Sequence, residues 1–341
     1  MKKRNESVDM LRGICMLCVL MGHVGGVPDV VMKWLYPFYV PAFFFITGYL
    51  KHSFPQKGCE KHILERWKRL IIPYFAYNIF LLLCCMMIHH LGKNEIVFAI
   101  KGILYSRFCL YPEVQDAENI YFFTVSNSPL WFLTALFVSE VFFYSVFYGA
   151  RSRAEFILRV TGLLLLGFYM DQLSVLLPWS IDTALIGAVL VAMGYCWKLN
   201  EQKFSLKWIY VLLFLVYVVV ASINVNANMS VRYYGPYSAS VFLFAAGGVA
   251  GTVLIKHMCD IIHENRMNFI LTDILCRIGR NSMPILALHW FLFSICDIFI
   301  DRLGITVLWP LGYSILKIII VVVACIGVAR CLHFREKRLV K

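Results

Sequence analysis

Charge is what this sequence has least of. Asp, Glu, Lys and Arg make up 15% of the 341 residues, against roughly 25% in an ordinary globular protein. Acids are the scarcer sign, 20 against 32 basic residues. With 60% hydrophobic residues and a mean hydropathy of +0.73, such a chain has too little polar surface for a water-soluble globule, and it reads as an integral membrane protein. Long polar stretches are missing too. Apolar runs of about 20 residues, enough to cross a ~30 Å hydrocarbon core, recur from end to end and leave no room for a separate soluble domain. No Ala-x-Ala cleavage pattern follows the first apolar run, so that run is expected to be a structural helix and not a removable signal peptide. Self-similar halves are also absent, which weakens an inverted-repeat transporter architecture. Cysteine is not scarce, at 12, but only Cys109 falls in a loop assigned to the outer side, so no disulfide framework is implied. Cys15-x-x-Cys18 lacks His or Cys partners at finger-like spacing and reads as small apolar packing residues.

The expected fold class is all-α: one membrane-embedded domain over residues 1–341, a polytopic bundle of about ten transmembrane helices. The spans fall near residues 8–27, 34–50, 70–91, 129–148, 155–171, 179–197, 208–224, 235–255, 282–299 and 309–329. The net charge of +12 raises the question of nucleic acid, and its distribution answers against it. The basic residues gather on alternate loops: Lys2, Lys3 and Arg4; Lys51 to Arg69; Arg151, Arg153 and Arg159; Lys198 to Lys207; Lys256 to Arg280; and Arg330 to Lys341. By the positive-inside rule both termini are cytoplasmic, and the expected partner is the lipid bilayer.

One connection is long. Residues 92–128 form an extracytoplasmic loop by the same rule, with Glu95, Glu113, Asp116 and Glu118 and the aromatics Tyr105, Phe108, Tyr111, Tyr121, Phe122 and Phe123. Loops of this length are usually functional or disordered. An ordered lid with a sugar-friendly surface and an interfacial loop resting on headgroups both fit its composition.

Ionisable residues inside spans cost about 2.5 to 3.5 kcal/mol each and mark function by default. Those singled out are Arg12 and His23 in the first span, Glu140 in the fourth, Asp182 near the outer end of the sixth, His289 in the ninth and Lys317 in the tenth. Eleven residues at about 100° each return Arg12 and His23 to one helix face, roughly 16 Å apart along the axis. Asp9, one turn before Arg12, is placed to pair with it. Arg12 near the cytoplasmic interface fits a snorkelling anchor; His23 lies toward the outer half, with Gly22, Gly25 and Gly26 permitting close approach of a helix or ligand. Glu140 is expected to be protonated, or paired with a buried cation such as His23, Arg12 or Lys317, and a carboxylate that orients a histidine is what a general base requires. A structural interhelical hydrogen bond is the alternative. Lys317 is read as snorkelling from Trp309-Pro310.

At the cytoplasmic face "ERWKRLIIPY" places Arg66, Lys68 and Arg69 before the third span, and "CRIGRNSMP" places Arg277 and Arg280 before the ninth. Guanidinium groups bind phosphates bidentately, so two such clusters suit a polyphosphate. Positive-inside anchoring produces the same pattern, and charge alone does not separate the two.

Taken together these stretches resemble the acyltransferase-3 family of integral membrane acyltransferases, and within it the branch similar to fucose 4-O-acetylases. "VDMLRGICMLCVLMGH" resembles the family's arginine, ten residues, histidine motif, landing on Arg12 and His23. "VPAFFFITGYL", "RWKRLIIPY", "SPLWFLTALF", "LPWSIDTAL" and "IGRNSMPILALH" are similar to later signatures in the family's order, the last ending on His289. Tyr39 and Val40 stand where the branch often has His-Met, Thr47 replaces a usual Ser, and Ala287 falls where Tyr is common.

The resemblance implies transfer of an acyl group, usually acetyl from acetyl-CoA, to a hydroxyl of a cell-surface or secreted carbohydrate, in the plasma (inner) membrane of a bacterial cell. Acetyl-CoA is then a co-substrate, and no tightly bound cofactor or metal is expected. The donor's phosphates would stay at Arg66, Lys68, Arg69, Arg277 and Arg280 while its pantetheine arm follows the first span to the catalytic group. His23 is the candidate base or, by covalent relay, the nucleophile. Arg12 would orient the donor, and Glu140 or His289 would fix the imidazole tautomer. Trp131 and Asp182 would hold the sugar acceptor. The competing class is a proton-coupled transporter or flippase of a sugar or small metabolite, which would use the same buried groups as a relay.

Overall fold

The computed structural model describes residues 5–51, 59–107, 109–111, 128–150, 152–202, 206–224, 227–265, 269–304, 307 and 309–339. Every regular element among them is helical: α1 (Glu6–Val24), α2 (Asp29–Leu35), α3 (Tyr39–Tyr49), α4 (Glu60–Arg66), α5 (Ile72–His89), α6 (Lys93–Tyr105), α7 (Trp131–Phe147), α8 (Arg153–Asp171), α9 (Ile181–Asn200), α10 (Lys207–Ile223), α11 (Ser240–Glu264), α12 (Phe269–Arg280), α13 (Ser282–Arg302) and α14 (Pro310–Leu339). A helix lies on each of the ten expected stretches. Seven helical segments among the described residues are long and apolar enough to cross a membrane, while Trp131–Phe147 and Lys207–Ile223 are apolar but shorter; at 1.5 Å per residue the latter two run to roughly 25 Å. α8 carries Arg153, Glu155, Arg159 and Asp171. Many large apolar side chains on the helices, such as Met87, Leu158, Val211 and Val323, point outward, the arrangement a lipid environment stabilises.

The chain divides into two compact units. The first holds Met1–Leu35 and Val253–Lys341, and its central contact is α1 on α12. α12 is amphipathic: Leu275, Cys276, Ile278 and Gly279 are buried while Asp273 and Arg277 stay outside that face. The two helices meet backbone to backbone, Gly13 against the Leu275 carbonyl and Gly279 against the Asp9 carbonyl. A Cβ at either glycine would overlap the opposing carbonyl, so only glycine allows this approach. Cys15 and Cys18 are buried with free thiols, as packing residues are. α1 begins at Asn5, whose side chain accepts from Val8 N at 3.2 Å, and ends at Gly25 with φ +76°.

The second unit runs from Tyr36 to Thr252. Here α3 packs on α9, again through a reciprocal glycine crossing: Gly48 meets the Val191 carbonyl and Gly194 the Phe45 carbonyl. α7 and α8 pack against other faces of α9. Between α4 and α5 the helix widens into a π turn at Trp67–Ile71. Pro73 causes it: the ring has no N–H to donate and would collide with the carbonyl four residues back, and a wider turn relieves both. Part of the expected outer loop lies among the described residues. α6 occupies its first portion, Tyr105 Oη donates to the Leu176 carbonyl at 2.7 Å, and Leu176 N donates to the Leu110 carbonyl at 2.6 Å. Phe108, Glu113, Asp116, Glu118, Tyr121, Phe122 and Phe123 lie outside the described residues.

Candidate active site

In the first unit α1 carries Arg12 and His23 as expected, and the tertiary fold adds a second imidazole. The His23 ring lies 5.2 Å from that of His289 and stacks on Trp290 at 5.5 Å with an interplanar angle of 20°. His289 is wholly buried, with Phe293 edge-on to it at 5.8 Å. Its Nδ1 sits 3.0 Å from the Ile285 carbonyl and 2.9 Å from that of Leu286. Carbonyls only accept, so Nδ1 must carry the proton and Nε2 the lone pair. That Nε2 is buried without a hydrogen-bond partner among the described residues, which makes it an acceptor with nothing to accept. His23 by contrast is exposed. One imidazole is thus fixed in tautomer and sealed, and the other keeps an open side.

Asp297, two turns beyond His289 on α13, belongs to the same unit and was not among the residues singled out from the sequence. Lys317 Nζ donates to both of its oxygens, at 2.9 and 3.2 Å, and Tyr313 Oη donates to Oδ1 at 2.8 Å. Lys317 is therefore buried in an ion pair rather than snorkelling, because a carboxylate within reach holds the ammonium in place. The signal was available: Asp297 lies inside the ninth apolar stretch.

Glu140 departs from expectation in its partners. The carboxylate is buried in the second unit and held by Lys51, whose Nζ donates to Oε2 at 2.8 Å, and by Arg66, whose Nε donates to Oε1 at 2.5 Å. Lys51 Nζ also donates to Tyr144 Oη at 2.8 Å. Neither a histidine nor Lys317 is its partner, because the long basic side chains at the ends of α3 and α4 reach the acid first. Arg66 is in this way committed to Glu140. Lys68 and Arg69, on the π turn, are exposed and make no ion pair among the described residues.

Asp182 is also engaged. Its side chain is completely buried between Arg107, on Oδ1, and Arg232, 2.8 Å from Oδ2. Thr183 N donates to Oδ1 at 2.9 Å and Leu177 N to Oδ2 at 3.3 Å. Burial pulls the Arg107 guanidinium below its ordinary value and Asp182 works against that. Arg107 further donates to the Ser230 carbonyl at 2.6 Å, and Arg232 to that of Val175 at 3.1 Å, so Asp182 gathers three loops. Both carboxylate oxygens of Asp182 are thus engaged within the protein. Trp131 is buried, edge-on to Phe132 at 6.2 Å. In the first unit Arg277 pairs with Asp273 at 2.6 Å and Arg280 with Asp9 at 3.0 Å, which neutralises much of that basic cluster.

Among the described residues, seven helical segments long and apolar enough to span a bilayer mark a multi-pass membrane protein. The acyltransferase-3 family model, described as an acyltransferase domain, matches residues 5–329, and the chain belongs to that family. It is a membrane acyltransferase, and the match gives the transporter class no support. No curated protein and no solved structure shows significant similarity to the chain.

Proposed function

We propose that this acyltransferase is an O-acetyltransferase that moves acetyl from cytoplasmic acetyl-CoA to a hydroxyl of a cell-surface or secreted carbohydrate, in the plasma (inner) membrane of a bacterial cell. The observation that carries the reading is the His23–His289 pair. A hydroxyl is a weak nucleophile at neutral pH, and a base that takes its proton during attack contributes about 10² to 10⁴ in rate. His23 has the open side such a base needs. The buried Nε2 of His289, which has no hydrogen-bond partner among the described residues and whose ring lies 5.2 Å from that of His23, would accept one ring N–H of His23 on closer approach and leave the lone pair of the other nitrogen for the substrate.

The chemistry then balances on few atoms. The acceptor O–H proton passes to His23, the oxygen bonds to the thioester carbonyl carbon, the C–S bond breaks, and the imidazolium returns its proton to the departing CoA thiolate. Arg12, about 16 Å below His23 on the same helix, serves the donor's charged end rather than the reacting carbonyl. In the second unit, Lys68 and Arg69 are exposed cations without an ion pair among the described residues, of the kind that suits phosphate, and Glu140 holds Arg66 and Lys51. The resemblance to fucose 4-O-acetylases supports acetyl as the acyl group and a sugar as acceptor.

Mass spectrometry of surface glycans from cells with and without the gene tests the reading. Loss of acetyl groups in the deletion, restored by the parent gene and not by His23→Ala at equal membrane abundance, is the expected result. Unchanged glycan acetylation in the deletion sinks the carbohydrate assignment, and full restoration by His23→Ala sinks the mechanism.

A further inference from the structure

The second polar cluster of the first unit has no part in the acetyl-transfer chemistry described above. His289, Phe293 and Asp297 succeed one another at intervals of four on α13, an inclined stripe along one helix side. Phe293 is buried and touches two polar groups, the His289 ring at 5.8 Å and the Lys317 ammonium 5.6 Å from its centroid. Lys317 also sits 4.8 Å from the Tyr313 centroid. Ser314, next to Tyr313, donates to the Gly25 carbonyl at 2.6 Å, which ties this part of α14 to the turn that follows His23.

The exposures within the cluster are unequal. The Lys317 side chain is 7% exposed, whereas that of Asp297 is 49% exposed. Among the described residues, Oδ1 of Asp297 accepts from both Tyr313 and Lys317, while Oδ2 accepts the longer Lys317 contact alone, at 3.2 Å. A carboxylate half uncovered within an apolar helix is costly against lipid, and Oδ2, with one long donor contact, has room for a further donor. The ammonium cancels its charge, so an anion gains no net attraction there. Hydroxyl groups of a neutral polyol meet both conditions, since each donates one charge-assisted hydrogen bond to Oδ2.

We infer that Asp297, positioned by Lys317 and Tyr313, is an acceptor-binding residue that takes hydroxyls of a neutral glycan while another hydroxyl of the same molecule reaches His23. This rests on the acetyltransferase reading and assigns that site its acceptor end. Asp297 lies eight residues, about 12 Å of helix rise, from His289, so the acceptor is longer than a single ring.

The test uses gene-deleted cells carrying parent, Asp297→Asn, or the exchange Asp297→Lys with Lys317→Asp. Glycan acetylation is read by mass spectrometry, and binding of radiolabelled acetyl-CoA is read on each purified protein in detergent. Hydrogen bonds to a charged group are worth on the order of ten- to a hundredfold, so Asp297→Asn should bind acetyl-CoA like the parent and lose glycan acetylation by that factor. The exchange restores the ion pair but moves the carboxylate, and it should not recover transfer. Parent-level acetylation by Asp297→Asn overturns the inference, as does recovery by the exchange, which would mark a purely structural pair, or joint loss of acetyl-CoA binding. If parent cells acetylate no more glycan than deleted cells while the protein binds acetyl-CoA, it is the carbohydrate reading itself that has failed.

Discussion

Asp182 and His289 are both completely buried polar side chains in a chain with little polar surface to spare, and they are completed in opposite ways. Asp182 receives two guanidinium groups and two backbone N–H groups, leaving no lone pair for a substrate. His289 spends one nitrogen on its own helix and leaves the other unpartnered beside an exposed imidazole. Position within an apolar stretch marks both as exceptional; on the proposed reading, filled or unfilled bonding capacity separates a group that holds the fold from one that acts on a ligand. Glu140 falls between the two, since its carboxylate is filled by Lys51 and Arg66, cations of the basic segment that joins the second and third apolar stretches.

The largest expected effect tests the filled side. Asp182→Ala leaves Arg107 and Arg232 buried without an anion and should cost about 3 to 5 kcal/mol of stability, seen as a lower thermal midpoint and less monodisperse protein in detergent. Acetyl-CoA binding per folded molecule should not change. A stable Asp182→Ala protein that binds donor yet fails to acetylate glycan would return this residue to the acceptor site and erase the contrast.

His289→Phe tests the unfilled side. It keeps an aromatic ring and removes the Nε2 acceptor, so turnover should fall by one to two orders of magnitude, about 1.4 to 2.7 kcal/mol of barrier, with the melting midpoint nearly unchanged. A loss of stability as large as that of Asp182→Ala would show that His289 too is a structural group. Below this comes packing. Gly13→Ala forces a methyl group into the Leu275 carbonyl and should cost about 1 to 3 kcal/mol, whereas Gly162→Ala, with nothing within 4 Å of the added Cβ, should be neutral or stabilise α8 by up to about 1 kcal/mol. The smallest effect belongs to the exposed cations. Lys68→Gln with Arg69→Gln should weaken acetyl-CoA binding by ~1 kcal/mol or less and flatten its salt dependence, while Arg277→Gln, already paired with Asp273, should do less still.

The helices were legible because apolar runs of span length are rare by chance, and each such run overlaps a helix, although α11 and α14 run nine and ten residues past the expected ends at 255 and 329. α12 was not, since a short amphipathic helix among Asp273, Arg277 and Arg280 has the composition of a charged loop; its apolar residues acquire meaning only against α1. In the site, Arg12 and His23 could be placed on one face by counting residues, because a single helix fixes their relation. The approach of His289 could not, as it depends on how α13 packs on α1. The partners of Glu140 and Lys317 were misjudged for a related reason: Lys and Arg side chains are long enough to choose among several acids, and sequence separation says little about which acid is nearest. Asp297 lay in plain view within an apolar stretch and needed only to be counted.

The glycine crossing of α1 and α12 has a mechanical consequence. Because the contact at Gly13 and Gly279 is backbone on backbone, α1 has no side-chain cushion there, and a slide by one residue would drive a β-carbon into a carbonyl. α1 is therefore a rail locked in register beside Arg12. On the proposed reading the interval from that guanidinium to the His23 ring is then a fixed gauge, set by helix rise alone, against which the reach of an acyl carrier from its charged end to its thioester is measured.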